Sequence, residues 1–287
     1  MFNKESLRKK FQDIGSDVEF IDNLNPALVT QADPNVLRSS VPVTVDVRKV
    51  KGNETFFIRY NPKADFDMDI VDVQKADKHL LLMIKDKVGQ GRYDVSKLLC
   101  GHDERHFFSC GVPGNPKNVR EAKENLLPPE FLNEQKMKAK KKNYLKRKNE
   151  AGRRQGEWVF IPVENLNPDP LLIKKNEPIS RGARSKPHIC EELYSLGGRT
   201  VYVHDKYAPN GVTKEQIPQI QKQIRQREGR QAAQKITFQT RTANAVVYAR
   251  GAVRHSDHKT IILKKWHKVL MNTEAQAKSS IYSVFLD

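Results

Sequence analysis

Four side chains with metal-ligand chemistry fall in two short stretches of the C-terminal half. The first is Arg-Ser-Lys-Pro-His188-Ile-Cys190-Glu191-Glu192, the second Arg254-His255-Ser-Asp257-His258. Alternation in an extended chain places His188 and Cys190 on one face, and a tight turn lets two imidazoles and a carboxylate converge on one point. His188, Cys190, His255 and His258 together amount to a tetrahedral shell of nitrogen and thiolate donors, which suits zinc. Iron, which prefers two imidazoles and a carboxylate, ranks behind it. A plainer reading stands beside this one: the chain has eight histidines, histidines near turns are common, and Cys190 also suits a small buried position. Four protein ligands would make the ion structural. Three ligands and a water beside a cleft lined by Arg250 and Arg254 would make it catalytic, with Asp257 or Glu191 as general base.

A second concentration of reactive groups lies in the N-terminal half, where Cys100-Gly-His102-Asp103-Glu104-Arg105-His106-Phe-Phe-Ser-Cys110 places two thiols, two imidazoles and two carboxylates within eleven residues. Its spacing is not that of a zinc finger. If 106–110 is a strand, His106, Phe108 and Cys110 share a face and a core strand accounts for them. His102 next to a carboxylate has the pKa range of a general base. The competing reading is an exposed loop in which Asp103 or Glu104 pairs with Arg105. Gly89-Gln90-Gly91 lacks the third glycine and helix of a dinucleotide fingerprint, so no nucleotide cofactor is expected. The Walker lysine, the nucleophile elbow, the kinase set and the His-Glu-x-x-His helix are all missing from the chain.

The charge is unevenly distributed. The net +17 divides into 20 Lys/Arg against 21 Asp/Glu over residues 1–134, 10 against 1 over 135–154, and 21 against 12 over 155–287. Half of the excess therefore sits in about twenty residues around Lys140, Lys141, Lys142, Tyr144, Arg147, Arg153 and Arg154. Such a block attracts polyanions by releasing their counterions, and Tyr144 adds a ring on which a base can stack. With Arg250 and Arg254 these residues are the candidate nucleic-acid contacts; a solvated basic helix is the alternative. No stretch has the apolar length of a membrane helix and the N-terminus has no secretory h-region, so a cytoplasmic protein without a membrane partner is expected. Three cysteines are too few for a disulfide framework in this length.

Positioning these groups falls to a mainly β, α+β chain in two domains. Residues 1–127 read as an N-terminal antiparallel sheet. It holds a hairpin over 41–62 with its turn at 51–53, further strands at 79–86 and 106–113, and a short helix over 5–14. Residues 128–154 read as a basic helical linker broken by Pro128 and Pro129. Residues 155–287 read as a β-barrel or sandwich with strands at 158–163, 171–175, 200–204, 245–253 and 260–270. A helical insertion covers 213–242, and an apolar tail at 280–287 is expected to dock on a sheet.

Over residues 154–274 the order Arg-Gln-Gly-Glu-Trp, then Pro162, then His188-x-Cys190, then Tyr-x-Arg-Gly-x-Val-x-His255-x-Asp257-His258 resembles a group of small uncharacterised bacterial and phage proteins. In those the middle element reads Gly-His-x-His; here Pro187 and Cys190 replace its Gly and second His. The resemblance implies a compact β-domain with a histidine cluster and no particular reaction. The insertion at 213–242 departs from the small proteins. The sequence thus supports an intracellular binding or accessory protein that contacts nucleic acid or another polyanion through its basic segment and carries a His/Cys metal site. A metal-dependent phosphodiesterase or nuclease is the alternative.

Overall fold

The computed structural model describes residues 2–22, 41–89, 91–181 and 185–277. The chain is mainly β with helical segments between its sheets. The tail expected to dock, 280–287, lies outside the described residues.

The N-terminal half opens with helix α1 (Lys4–Asp13), capped by the Asn3 side chain on the Ser6 N–H, a bond that satisfies one of the free donors of a first turn. Strands β1 (Asp17–Ile21), β2 (Val43–Val50) and β3 (Asn53–Tyr60) form a three-stranded sheet in the order β1-β3-β2. β2 and β3 are the expected hairpin, whereas β1 adds a parallel edge that alternation did not reveal. A second, antiparallel sheet comprises β4 (Phe66–Gln74), β5 (His79–Gly89), β6 (Arg92–His102) and β7 (Phe107–Gly111) in sequence order. Leu80, Leu82 and Ile84 of β5 pack with Val43, Phe56, Ile58 and Phe11 of α1 between the two sheets. Leu81 points the other way, onto Val119 and Ala122 of helix α2 (Val119–Asn125) and onto Leu126 just after it. Burial of both faces explains why the β5 sequence is a continuous apolar run instead of an alternating one.

Segment 128–154 differs from the expected helical linker. Helix α3 (Pro129–Lys138) ends before the lysine run, because residues 139–147 offer no apolar stripe to bury and their like charges repel at helical spacing. Phe131 of α3 is fully buried against Ala151, Val159 and Ile161. The chain then makes strands β8 (Lys148–Asn149) and β9 (Gly152–Gln155), which are already part of the C-terminal sheet.

That sheet has seven strands in the order β11-β12-β16-β17-β10-β9-β8: β10 (Trp158–Pro162), β11 (Lys174–Ile179), β12 (His188–Leu196), β16 (Val246–Arg254) and β17 (Ile261–Met271) join β8 and β9. Of the expected barrel or sandwich, the described residues show open, mainly antiparallel sheets and no closed barrel. The strand expected over 171–175 begins later: Pro170–Leu172 make a 3-10 turn, and β11 starts at Lys174. Within the stretch 197–245, β13 (Arg199–His204), β14 (Ala208–Val212) and β15 (Gln239–Ala243) build a separate three-stranded sheet. It carries helices α4 (Ile217–Glu228) and α5 (Arg230–Gln234), so the expected helical insertion ends in a strand.

His79 is a test of the first core. It pairs with Gly101 across β5 and β6, and its ring fills the place a Cβ at Gly101 would need, with the nearest ring carbon 2.3 Å from that point. Burial, reinforced by the nearby Lys123 ammonium, pushes its pKa down to about 4. The unfolded chain therefore binds the extra proton first. Stability from this site is intact above about pH 6.5, declines as pH falls toward about 4, and is flat below that, a loss on the order of 3 kcal/mol. Denaturant unfolding of wild type and His79→Leu at pH 7.5 and 4.5 should show the larger acid loss in wild type; equal losses would contradict it.

Candidate metal centre and adjoining cavity

The pairing of β12 with β16 brings the two histidine stretches together. Ile189 lies opposite Arg254, so His188 and His255, one residue further along each strand, face each other at the end of the sheet. Their rings stack at 4.1 Å. His258, at the far side of the turn leading to β17, stands 5.5 Å from His188 and 4.7 Å from His255, centroid to centroid. One ring nitrogen from each of the three lies within 4.8 Å of the others, close enough to hold one metal ion.

The chemistry of the group favours a cation. His188 is 1% exposed, and neither of its ring nitrogens has a hydrogen-bond partner among the described residues. Burial, with His255 and His258 adding to it, pushes its pKa down to about 3, so the imidazole is neutral and its lone pair available. Orphaned buried nitrogens are costly unless something occupies them, and a metal ion does so. The residues present fit such an ion.

Cys190 does not complete the shell. It is fully buried among Ile179, Leu193, Val253 and Leu263 and lies outside the three-histidine group. The alternation that puts it on the face of His188 also carries it two residues deeper into the sheet, opposite Val253. The expected fourth ligand is thus a core residue. Asp257 pairs with Lys186 at 2.7 Å while its backbone N–H donates to His255 Nδ1 at 3.2 Å. Glu191 accepts from the Ala252 N–H at 2.6 Å and fills the space that Gly251 leaves open, outside the three-histidine group.

The Arg-Gln-Gly-Glu-Trp stretch has a definite part in this arrangement. It is the β9–β10 hairpin, and its turn abuts the histidine turn. Gln155, fully buried, donates from Nε2 to the carbonyls of Val253 at 3.2 Å and Lys259 at 2.7 Å, bracketing His255–His258. Gly156 has φ +55°, and a Cβ there would lie 2.6 Å from His258 Nε2. Trp158 sets its edge against the His188 ring at 6.4 Å.

The loop after β6 holds the same turn from the other side. Glu104 accepts from the Lys259 N–H at 2.8 Å, Arg105 donates to the Ser256 carbonyl at 3.2 Å, and Asp103 lies 3.9 Å from His258 Nδ1. Asp103 and Glu104 do not pair with Arg105, as the sequence suggests; both pair with Arg147, the latter at 2.8 Å. A carboxylate beside a ligating imidazole is a common orienting device at metal sites. Nothing in the spacing of Asp103 from His258, 155 residues apart, announces it.

Between the second N-terminal sheet and the C-terminal sheet lies a cavity of about 970 Å³ that reaches His258 and Gly156 at one end. His102 lines it, its pKa lowered by burial and then by the Lys78 ammonium. Lys141, Lys142, Tyr144, Arg147 and Arg154 line it as well, the two lysines remaining exposed to solvent. Arg154 donates to the Leu145 carbonyl at 2.8 Å and burial holds its guanidinium at about 10, still charged at neutral pH. Arg153 is half-buried on β9, Arg250 pairs with Glu192 and lies over Trp266 at 4.7 Å, and Arg254 donates to Asn176 at 2.6 Å; none of the three lines the cavity.

Scans of protein-family models, curated proteins and solved structures find no match for this chain. The geometry is accordingly the basis for function. Among the described residues no helix is long and apolar enough to cross a membrane.

Proposed function

We propose that the chain holds a transition-metal ion on His188, His255 and His258, zinc by the chemistry of three imidazoles, and hydrolyses a phosphate ester bound beside it. The observation that carries this reading is a three-nitrogen donor set, one member with both nitrogens buried and unpartnered, at the edge of a basic cavity. Three protein ligands are the pattern of catalytic zinc, with coordination positions left for water and substrate. An ion there supplies Lewis acidity to a phosphoryl oxygen and lowers the pKa of a water. Asp103 orients His258, Arg147 neutralises that carboxylate, and His102, which burial and Lys78 keep neutral at pH 7, is the proposed proton acceptor. Zinc-loaded wild type should hydrolyse bis(p-nitrophenyl) phosphate, and His255→Ala should lower kcat/KM by at least about a hundredfold, the scale of removing a group that acts in the transition state. Equal rates in both proteins would exclude the site.

A second reading, binding of nucleic acid or another polyanion, is favoured by Lys140, Lys141 and Lys142. All three are exposed, with no carboxylate at ion-pair distance among the described residues. If they contact phosphates, replacing all three with alanine should flatten the log–log salt dependence of DNA or RNA affinity by about two to three units. An unchanged slope would remove this reading.

A further inference from the structure

The cavity beside the histidines is built for more than a bare anion. Eight Lys/Arg side chains line it against four Asp/Glu, so it carries an excess of positive charge. Some of that charge is already matched within the protein: Lys123 pairs with Asp77, and Arg147 with Asp103 and Glu104. Arg154 is different. No carboxylate lies at ion-pair distance from it among the described residues, and its Nε is buried without a partner. Lys141 and Lys142 bring two further cations to the cavity lining. Much of the remaining surface is apolar or aromatic, including Phe108, Tyr144, Leu145 and Val159. A volume of about 970 Å³ is at the upper end of ordinary small-molecule sites, and inorganic phosphate would leave most of that apolar wall wet.

We infer that this cavity binds a nucleotide, its phosphate on Arg154, Lys141 and Lys142 and its base against the aromatic and apolar wall of Phe108 and Tyr144. The inference deepens the hydrolase reading by naming its substrate class, and rests on it only for the reaction, not for binding. A charged guanidinium with a free buried N–H is a strong phosphate partner, because charge-assisted hydrogen bonds gain most where water is excluded. The stacking surface then separates a nucleotide from other phosphate esters. The phosphate is supplied either by a free mononucleotide or by the 5′ end of a strand.

Calorimetry in EDTA isolates binding from any metal chemistry. AMP should bind metal-free wild type with a submillimolar Kd, while adenosine and inorganic phosphate each bind at least about tenfold more weakly, since each makes one half of the contacts. Lys141→Ala combined with Lys142→Ala should weaken AMP by about tenfold, as should Arg154→Gln. The lysines are exposed, so the double variant keeps the test valid if Arg154→Gln does not fold. Competition by a 5′-phosphorylated oligonucleotide assigns the ligand to a strand end, and lack of competition to a free nucleotide. No AMP binding up to about 10 mM, or equal AMP affinity in wild type and the lysine variant, would overturn the inference. Nucleotide binding without zinc-dependent hydrolysis would retain the cavity's assignment and remove only the reaction.

Discussion

Replacing His188 with phenylalanine is expected to stabilise the metal-free protein while abolishing its response to zinc. The native ring sits at 1% exposure with two nitrogens that find no hydrogen-bond partner among the described residues. Without an ion, those groups lose solvation and gain nothing, at about 1–3 kcal/mol for a buried unsatisfied polar group. Phenylalanine keeps the ring's stacking against His255 and its edge contact with Trp158, and removes the unsatisfied atoms. In EDTA the variant should therefore unfold at higher denaturant than wild type. With zinc at a hundred times its Kd, wild type should gain about 2.7 kcal/mol and the variant nothing. His188→Leu provides the same comparison with a smaller side chain, in case the larger ring crowds the site. A histidine that merely fills the core would behave the opposite way, with the phenylalanine variant no more stable in EDTA and both proteins indifferent to zinc.

The second large effect is expected at Gln155. Its Nε2 holds the carbonyls of Val253 and Lys259 on either side of the histidine turn. Leucine at this position would leave both carbonyls without that donor. The expected cost is about 2–4 kcal/mol of folding stability, offset in part because Gln155 Oε1 is itself unpartnered. Loss of the brace should also lower zinc affinity by about 10–100-fold, the usual range for residues that orient ligands without touching the ion. Calorimetric zinc titration and denaturant unfolding of Gln155→Leu read the two effects separately. A destabilised variant with native zinc affinity would show that the turn keeps its geometry without Gln155.

Local signals carried much of the fold. The β2–β3 hairpin, the Asn3-capped helix and the long strands β16 and β17 follow from turn residues, spacing and β-branched runs. What escaped depended on distant partners. β1 is a parallel edge made by a five-residue stretch, and β15 follows a helical insertion whose polar composition resembles a loop. The basic segment looked like a solvated helix because its lysines dominate composition; its structure is set by Phe131 and Ala151, two apolar residues that bind it to β10.

The site divides the same way. Three of the four expected ligands meet because β12 and β16 pair in the register that puts His188 opposite His255. Alternation gave Cys190 the right face but said nothing of depth, and depth places it in the core. Asp257 and Glu191, chosen for proximity in sequence, are engaged elsewhere, whereas Asp103 reaches His258 from the other half of the chain. The cluster from Gly101 to His106 is dense in charge because it joins the two halves: three consecutive side chains, Asp103, Glu104 and Arg105, reach the histidine turn.

The central claim is that three histidines, without the cysteine, hold a metal ion. Equilibrium dialysis of zinc against untagged wild type, Cys190→Ala and His258→Ala tests it most directly. About one equivalent should bind to wild type and to Cys190→Ala, and that equivalent should be lost in His258→Ala. Zinc bound equally by wild type and His258→Ala, or by none of the three, would contradict it.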